Sequence, residues 1–475
     1  MRTCLGTTEN EQGKYPGPAP IIEHRDQSGV GERLAGKAAW GEKKAWEEMP
    51  IERGAPSNAF ITVRGISTLV EQTLQQIEST GPAHRSTISR FLARFSRVTS
   101  SGNFIPVIDG LRFFAIMAVV IFHINGRVGV STPIAFSHPL YTDLFHKALS
   151  TWNIGVQFFF TISGFILALP FAAHHLLQKP RIALSRYYLR RLTRLEPPYI
   201  ICMTFLFVLM LALHLRKPLT TLSPGTLTNH YFASLTYLHN ILYHSSSVIN
   251  GPAWSLEIEV QFYLLAPLLC LLFCIKRPLV RRASFLLVAV LILLAQSIFG
   301  TLHFVSLINY LHYFMCGLLL ADLYLTNWRE HPQLHWRWDI IGGLAWLGVT
   351  PVLMYLSRYQ NYLIPVLILC AYAGAFRGVW LNRVMCNRWL VTIGGMCYTI
   401  YLFHEWLLYQ FYTRITHYIY LTHAYWVNCL LQIVLLVCPL IVITSVLFLY
   451  VEKPFMYRDW PARWVGWWQQ HRRQE

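Results

Sequence analysis

Arg112 and His123 sit in one long apolar run, where ionisable side chains seldom stand without a reason. A charge in the hydrocarbon core of a bilayer is costly, so each such group is a functional candidate until something else explains it. The two are 11 residues apart. That is close to three helical turns, which puts both on one helix face, about 16 Å apart along the axis. Asp109, three residues before Arg112, can pair with it. A guanidinium binds anions in bidentate fashion, and an imidazole titrating near neutrality can take a proton from an alcohol. Singly, each residue has a plainer reading. Arg112 can snorkel to an interface while paired with Asp109, and His123 can be a core histidine bonded to a neighbouring carbonyl. Together on one face, they also describe a binding group and a catalytic group on a common track.

Further groups of this kind lie on other apolar runs. Glu257 and Glu259 open one of them, in Trp254-Ser255-Leu256-Glu257-Ile258-Glu259, and being two apart they point to different helix faces. At most one of them faces a shared cavity, and Glu259 lies deeper. His404 and Glu405 follow the run Tyr398 to Phe403, and interface placement suits Glu405. Counting along the helices places His123, Glu259 and His404 at similar depth on three spans. Arg186, Arg190, Arg191 and Arg194 crowd the start of yet another span. They serve as a topology signal, as a phosphate-binding site, or as both.

The elements that hold these residues follow from composition. Of 475 residues, 54% are hydrophobic and 13% charged, about half the charged share of a soluble chain. We expect an all-α, polytopic membrane bundle of about ten spans, near 105–124, 153–172, 197–214, 258–275, 283–300, 303–323, 339–356, 360–376, 389–411 and 426–450. Residues 231–243 form an aromatic stretch too short to span, so a re-entrant or interfacial one. With the N-terminus inside, the loops from 173 onward that face inward carry 20 Lys and Arg, against six in the outward loops. The positive-inside rule then predicts both termini in the cytoplasm of an inner-membrane protein. The net charge of +17 is spent in these clusters, so the expected partner is the bilayer and no nucleic acid.

Residues 1–60 are polar and aperiodic and read as disordered. Residues 61–103 carry two amphipathic patterns. The second of them sets Arg90, Arg94 and Arg97 opposite Ile88, Phe91, Phe95 and Val98, as in a helix lying on an anionic leaflet. No signal peptide is expected, so the first span directs insertion. Residues 457–475 form a Trp/Arg-rich cytoplasmic tail. The ten cysteines show no CxxC spacing and read as packing residues, with no metal expected.

Taken in order, these residues resemble the acyltransferase 3 family, which includes bacterial polysaccharide O-acetyltransferases. The matching elements are Asp109-Gly110-Leu111-Arg112 with His123, then Gly155-Val156-Gln157-Phe158-Phe159 through Ser163-Gly164-Phe165. Arg190-Arg191-Leu192-Thr193-Arg194 follows, then Trp254-Ser255-Leu256 with Glu259 and Phe262-Tyr263, Tyr398 through His404, and Glu452-Lys453-Pro454. The resemblance spans roughly 104–456. It departs at Cys397, where the family often has Ser, and at Thr161-Ile162, where a more aliphatic pair is usual. It implies a cytoplasmic acyl-CoA donor, acetyl-CoA above all, and a hydroxyl acceptor on a glycan or lipid-linked sugar. It implies catalytic roles for His123, Arg112, Glu259 and His404, and donor binding by Arg112, Arg190, Arg191 and Arg194. Direct transfer and an acyl-histidine step both stay open. The rival reading is a transporter or flippase with charges lining its path, for which no internal repeat is visible. A receptor or scaffold with an incidental polar core is a third.

Overall fold

The computed structural model describes residues 93–98, 104–131, 143–212, 223–301, 305–329, 333–419, 421–457 and 459–461. The segment 1–60, residues 61–92 and 99–103, and most of the tail lie outside the described residues. Among those described there are helices and turns and no strand. This is the outcome that a bilayer imposes, because a helix satisfies its own backbone where no water can.

Among the described residues, nine helical stretches are long and apolar enough to cross a membrane, and eight of their cores are α1 (Pro106–Ser131), α3 (Gly155–Leu177), α4 (Leu184–Ala212), α7 (Trp254–Leu269), α8 (Pro278–Phe299), α9 (Leu307–Leu323), α10 (Trp336–Tyr355) and α11 (Gln360–Arg377). The ninth is α15 (Tyr425–Leu447), which runs on through a π-helical turn at Phe448–Glu452 into the short α16 (Lys453–Met456). Short helices complete the order: α2 (Leu144–Ser150), α5 (Pro224–Leu235), α6 (His239–Tyr243) and α12 (Trp380–Met385). The short aromatic stretch is α5 and α6. Asn240 N–H donates to Glu257 at 2.8 Å and Tyr199 OH to the Ser234 carbonyl at 2.8 Å, tying the pair to α7 and α4.

The expected span at 389–411 is broken. It forms two helices, α13 (Arg388–Gly395) and α14 (Cys397–Arg414), with Met396 between them. Two contacts explain the break. The Gly394 position has no room for a side chain, since a Cβ there would lie 1.8 Å from the Asp109 carbonyl oxygen, so α13 presses its backbone on α1. Where α14 restarts, Glu452 accepts from Thr399 N–H at 3.1 Å and Thr399 Oγ1 at 2.5 Å. A carboxylate there satisfies the exposed N–H groups of a new helix and suits its positive end.

Among the described residues, α1 divides the two larger of three apolar clusters, the small third one being Met396, Phe448 and Met456. Ile108, Leu111, Ala115 and Val119 pack with Phe158, Phe165, Phe262, Phe314 and Tyr372 of α3, α7, α9 and α11. Ile116, Val120, Ile124 and Val128 pack with Tyr199, Met203, Leu408 and Leu436 of α4, α14 and α15. At about 100° per residue, Arg112 and His123 lie about 20° apart, on the seam between the two faces. The chemistry of α1 thus runs along the join of two packed bodies.

Candidate active site

One end of that seam is built from arginines. Arg112 Nη1 lies 2.5 Å from Asp109 Oδ1, with Asp109 buried, as the three-residue spacing predicts. Arg97, from the segment ahead of α1, brings its Nε to 3.9 Å from the other oxygen of Asp109. Arg191 on α4 donates to the Tyr187 carbonyl at 3.1 Å, and its guanidinium lies over the Tyr187 ring at 3.8 Å. Arg194 feels the charges of Glu452, Arg112 and Asp109. Glu259 acts on both Arg112 and Arg191, and accepts a 2.5 Å hydrogen bond from Ser163 Oγ.

Four guanidiniums therefore share this region with Asp109, Glu259 and Glu452. Asp109 is engaged by Arg112, Glu259 by Ser163 and Glu452 by Thr399. The Nε atoms of Arg97, Arg191 and Arg194 are buried without a hydrogen-bond partner. Burial and then the neighbouring Arg112 push the Arg97 guanidinium down to about 9, against the pull of Asp109. A buried donor left unfilled is costly, and a cationic one more so. An anion with several oxygens relieves that cost, as a phosphate does.

The other end is built around aromatic rings and two histidines. The His123 and His404 rings meet edge to face, with centroids 5.1 Å apart. His404 Nδ1 is 2.7 Å from the Tyr401 carbonyl, which only accepts, so the proton sits on Nδ1. Its Nε2 then carries a lone pair and is buried with no partner. Tyr401 OH is held between Ser255 Oγ at 2.6 Å and the Pro252 carbonyl, which locks α14 to the start of α7. Arg127 donates to the Glu405 carbonyl at 3.1 Å and lies 3.9 Å from its carboxylate.

Glu259 is not level with the histidines. Ser255 meets Tyr401, three residues back from His404 along α14, and Glu259 lies one further turn along α7. Counting turns puts Glu259 about 10 Å from the level of His404, toward the arginines. The expected common depth therefore does not follow once the Ser255–Tyr401 contact sets α7 against α14. Arg190 is exposed, while Arg191 and Arg194 turn inward. Glu257 serves structure, through Asn240.

Four participants receive no role from a reading of motifs, although Ser163, Thr399 and Glu452 stand inside one. Arg97 belongs to an amphipathic pattern whose apparent function is lipid contact. Glu452 and Thr399 are 53 residues apart, with nothing local to join them. Ser163 carries no signal beyond its place in a motif. Among the described residues, no three His, Cys, Asp or Glu side chains come together as a metal site.

A family model described as an acyltransferase domain matches residues 105–450. A Staphylococcus aureus (strain COL) protein, provisionally named an O-acetyltransferase, is 26% identical over 336 residues, covering 63% of this chain and 50% of that protein. The O-acetyltransferase OatA of S. aureus (strain NCTC 8325 / PS 47) is 32% identical over 180 residues, covering 35% of this chain and 25% of that protein. The chain thus spans half the length or less of these relatives. No solved structure matches it. With nine apolar helices, the match makes this a multi-pass membrane protein.

Proposed function

Since the chain belongs to the acyltransferase 3 family, we propose that it is an O-acyltransferase moving an acetyl group from cytoplasmic acetyl-CoA to a hydroxyl of an envelope glycan or lipid-linked sugar. The observation that carries this reading is the seam itself. Unfilled guanidinium donors gather at one end of α1, and three turns from Arg112 on the same face stands His123, whose ring meets that of His404 from α14. A long donor with a phosphate-rich head and a distant thioester fits that separation of about 16 Å.

In this reading Arg112, Arg191 and Arg194 hold donor phosphates at the cytoplasmic end. The acetyl thioester reaches His123 and His404. The acceptor hydroxyl attacks the thioester carbonyl, a C–O bond forms and the C–S bond breaks. Its proton passes to a histidine and then to the departing thiolate, giving CoA-SH. His123 is the group on the donor's face of α1. His404, with Nδ1 anchored and Nε2 open, is the second base of the pair. Glu259, bonded to Ser163 and acting on two arginines, steadies the charge between the ends. The loop charges support both termini in the cytoplasm, with residues 223–250 outside.

The test uses the full chain in detergent, supplied with acetyl-CoA, and follows release of the CoA thiol. Envelope glycans from cells with and without the gene are compared by mass. The expected result is an acetyl mass increment on a glycan and thiol release that requires His123. Thiol release unchanged by His123→Ala, or no mass difference, overturns the reading.

A further inference from the structure

The segment 93–98 precedes the matched family domain, yet it is seated on the arginine end. Phe95 and Val98 pack on Met396, Phe448 and Met456. Lys453 Nζ donates to the Arg94 carbonyl. Arg97 also lies against Gly395, where a Cβ would be in ordinary contact at 3.5 Å from Arg97 Cβ. The Arg97 side chain is 14% exposed, and its Nε is buried without a hydrogen-bond partner, as are those of Arg191 and Arg194 beside it. Nothing about a surface amphipathic helix requires this. An arginine serving lipid headgroups keeps its charge in water, whereas Arg97 turns away from water, toward a site that already holds three like charges.

We propose that Arg97 is a donor-binding residue, supplied from outside the family domain, which takes a phosphate of the acyl-CoA together with Arg112, Arg191 and Arg194. The inference rests on reading the arginine end as the donor site. It gives the segment before α1 a task. Phe95 and Val98 fix it against the joint between α13 and α14, and Arg97 adds its guanidinium to those of Arg112 on α1 and Arg191 and Arg194 on α4. The lowered affinity of Arg97 for its proton fits a cation held ready for a counter-charge.

The test measures equilibrium binding of CoA to the full chain in lipid nanodiscs, at low and high salt. Variants are Arg97→Ala, Arg97→Lys and Arg194→Ala, with exposed Arg186→Ala as the control. Arg97→Ala is expected to weaken CoA binding about tenfold or more at low salt, comparable with Arg194→Ala, since each loses charge-assisted hydrogen bonds. Arg97→Lys is expected to recover part of the loss, and the gap from wild type to narrow as salt screens the charge. If Arg194→Ala weakens binding and Arg97→Ala does not, this inference fails and the donor reading stands. If neither variant weakens binding, the donor reading fails and takes this inference with it. A loss in Arg97→Ala that Lys does not relieve and salt does not narrow makes Arg97 a packing residue, which also overturns the proposal.

Discussion

Two arginine clusters lie in this protein, and they are finished differently. In one, Arg281 Nε meets Asp322 at 2.5 Å and Arg282 Nε meets the other carboxylate oxygen at 2.8 Å. The remaining contacts are taken as well, by the Ile275 carbonyl, Thr326 Oγ1 and Asn327 Oδ1. In the other, Arg97, Arg191 and Arg194 each keep a buried Nε with no partner. The first cluster is saturated and clamps α8 to α9. The second is held together by packing and leaves donors over. A buried polar group without a partner costs stability, so a chain retains several in one place only where something else repays them. The saturated cluster is structure, and on the reading proposed above the unsaturated one is a binding site.

The contrast can be broken in order of expected effect. Asp322→Ala strands two guanidiniums and should destabilise the protein by about 3–5 kcal/mol. The check is a fall in thermal midpoint and in membrane abundance, with the KM for acetyl-CoA in the surviving fraction unchanged. Arg194→Ala should do the opposite, raising the KM for acetyl-CoA about tenfold to a hundredfold while the thermal midpoint moves far less than in Asp322→Ala, because relief of the repulsion from Arg112 offsets the lost attraction to Glu452. Arg194→Lys keeps the charge without the planar fork and should fall between, as steady-state kinetics would show. Arg190→Ala should be the mildest, within about twofold in KM, since Arg190 is exposed and outside the cradle. A large rise in KM for Arg190→Ala would return the site to the whole run of basic residues.

Much of this was legible where the signal is local. The spacing of Arg112 and His123, the Asp109–Arg112 pair and nine spans all arise from periodicity and charge within one helix. What was not legible depends on distant segments. The split of 389–411 needs Glu452 to cap Thr399 across 53 residues and Gly394 to meet the Asp109 carbonyl, and neither is written into the span's own apolar pattern. The level of Glu259 failed for the same reason, because turns counted along separate helices carry no common origin. Arg97 fits the period of a surface helix, and only the docking of its neighbours Phe95 and Val98 on Met396 and Met456 brings it beside Asp109.

The central claim is a division of labour along α1, with donor binding at Arg112 and transfer chemistry at His123. The most direct measurement is steady-state acetyl transfer by His123→Ala at matched abundance, with kcat and the KM for acetyl-CoA determined separately. The account predicts a fall in kcat of about 10²–10⁴-fold with KM near that of the wild type, as loss of a general base requires. A His123→Ala protein that transfers acetyl groups at near wild-type kcat would contradict it, leaving His123 as a packing residue and His404 or Glu259 as the base.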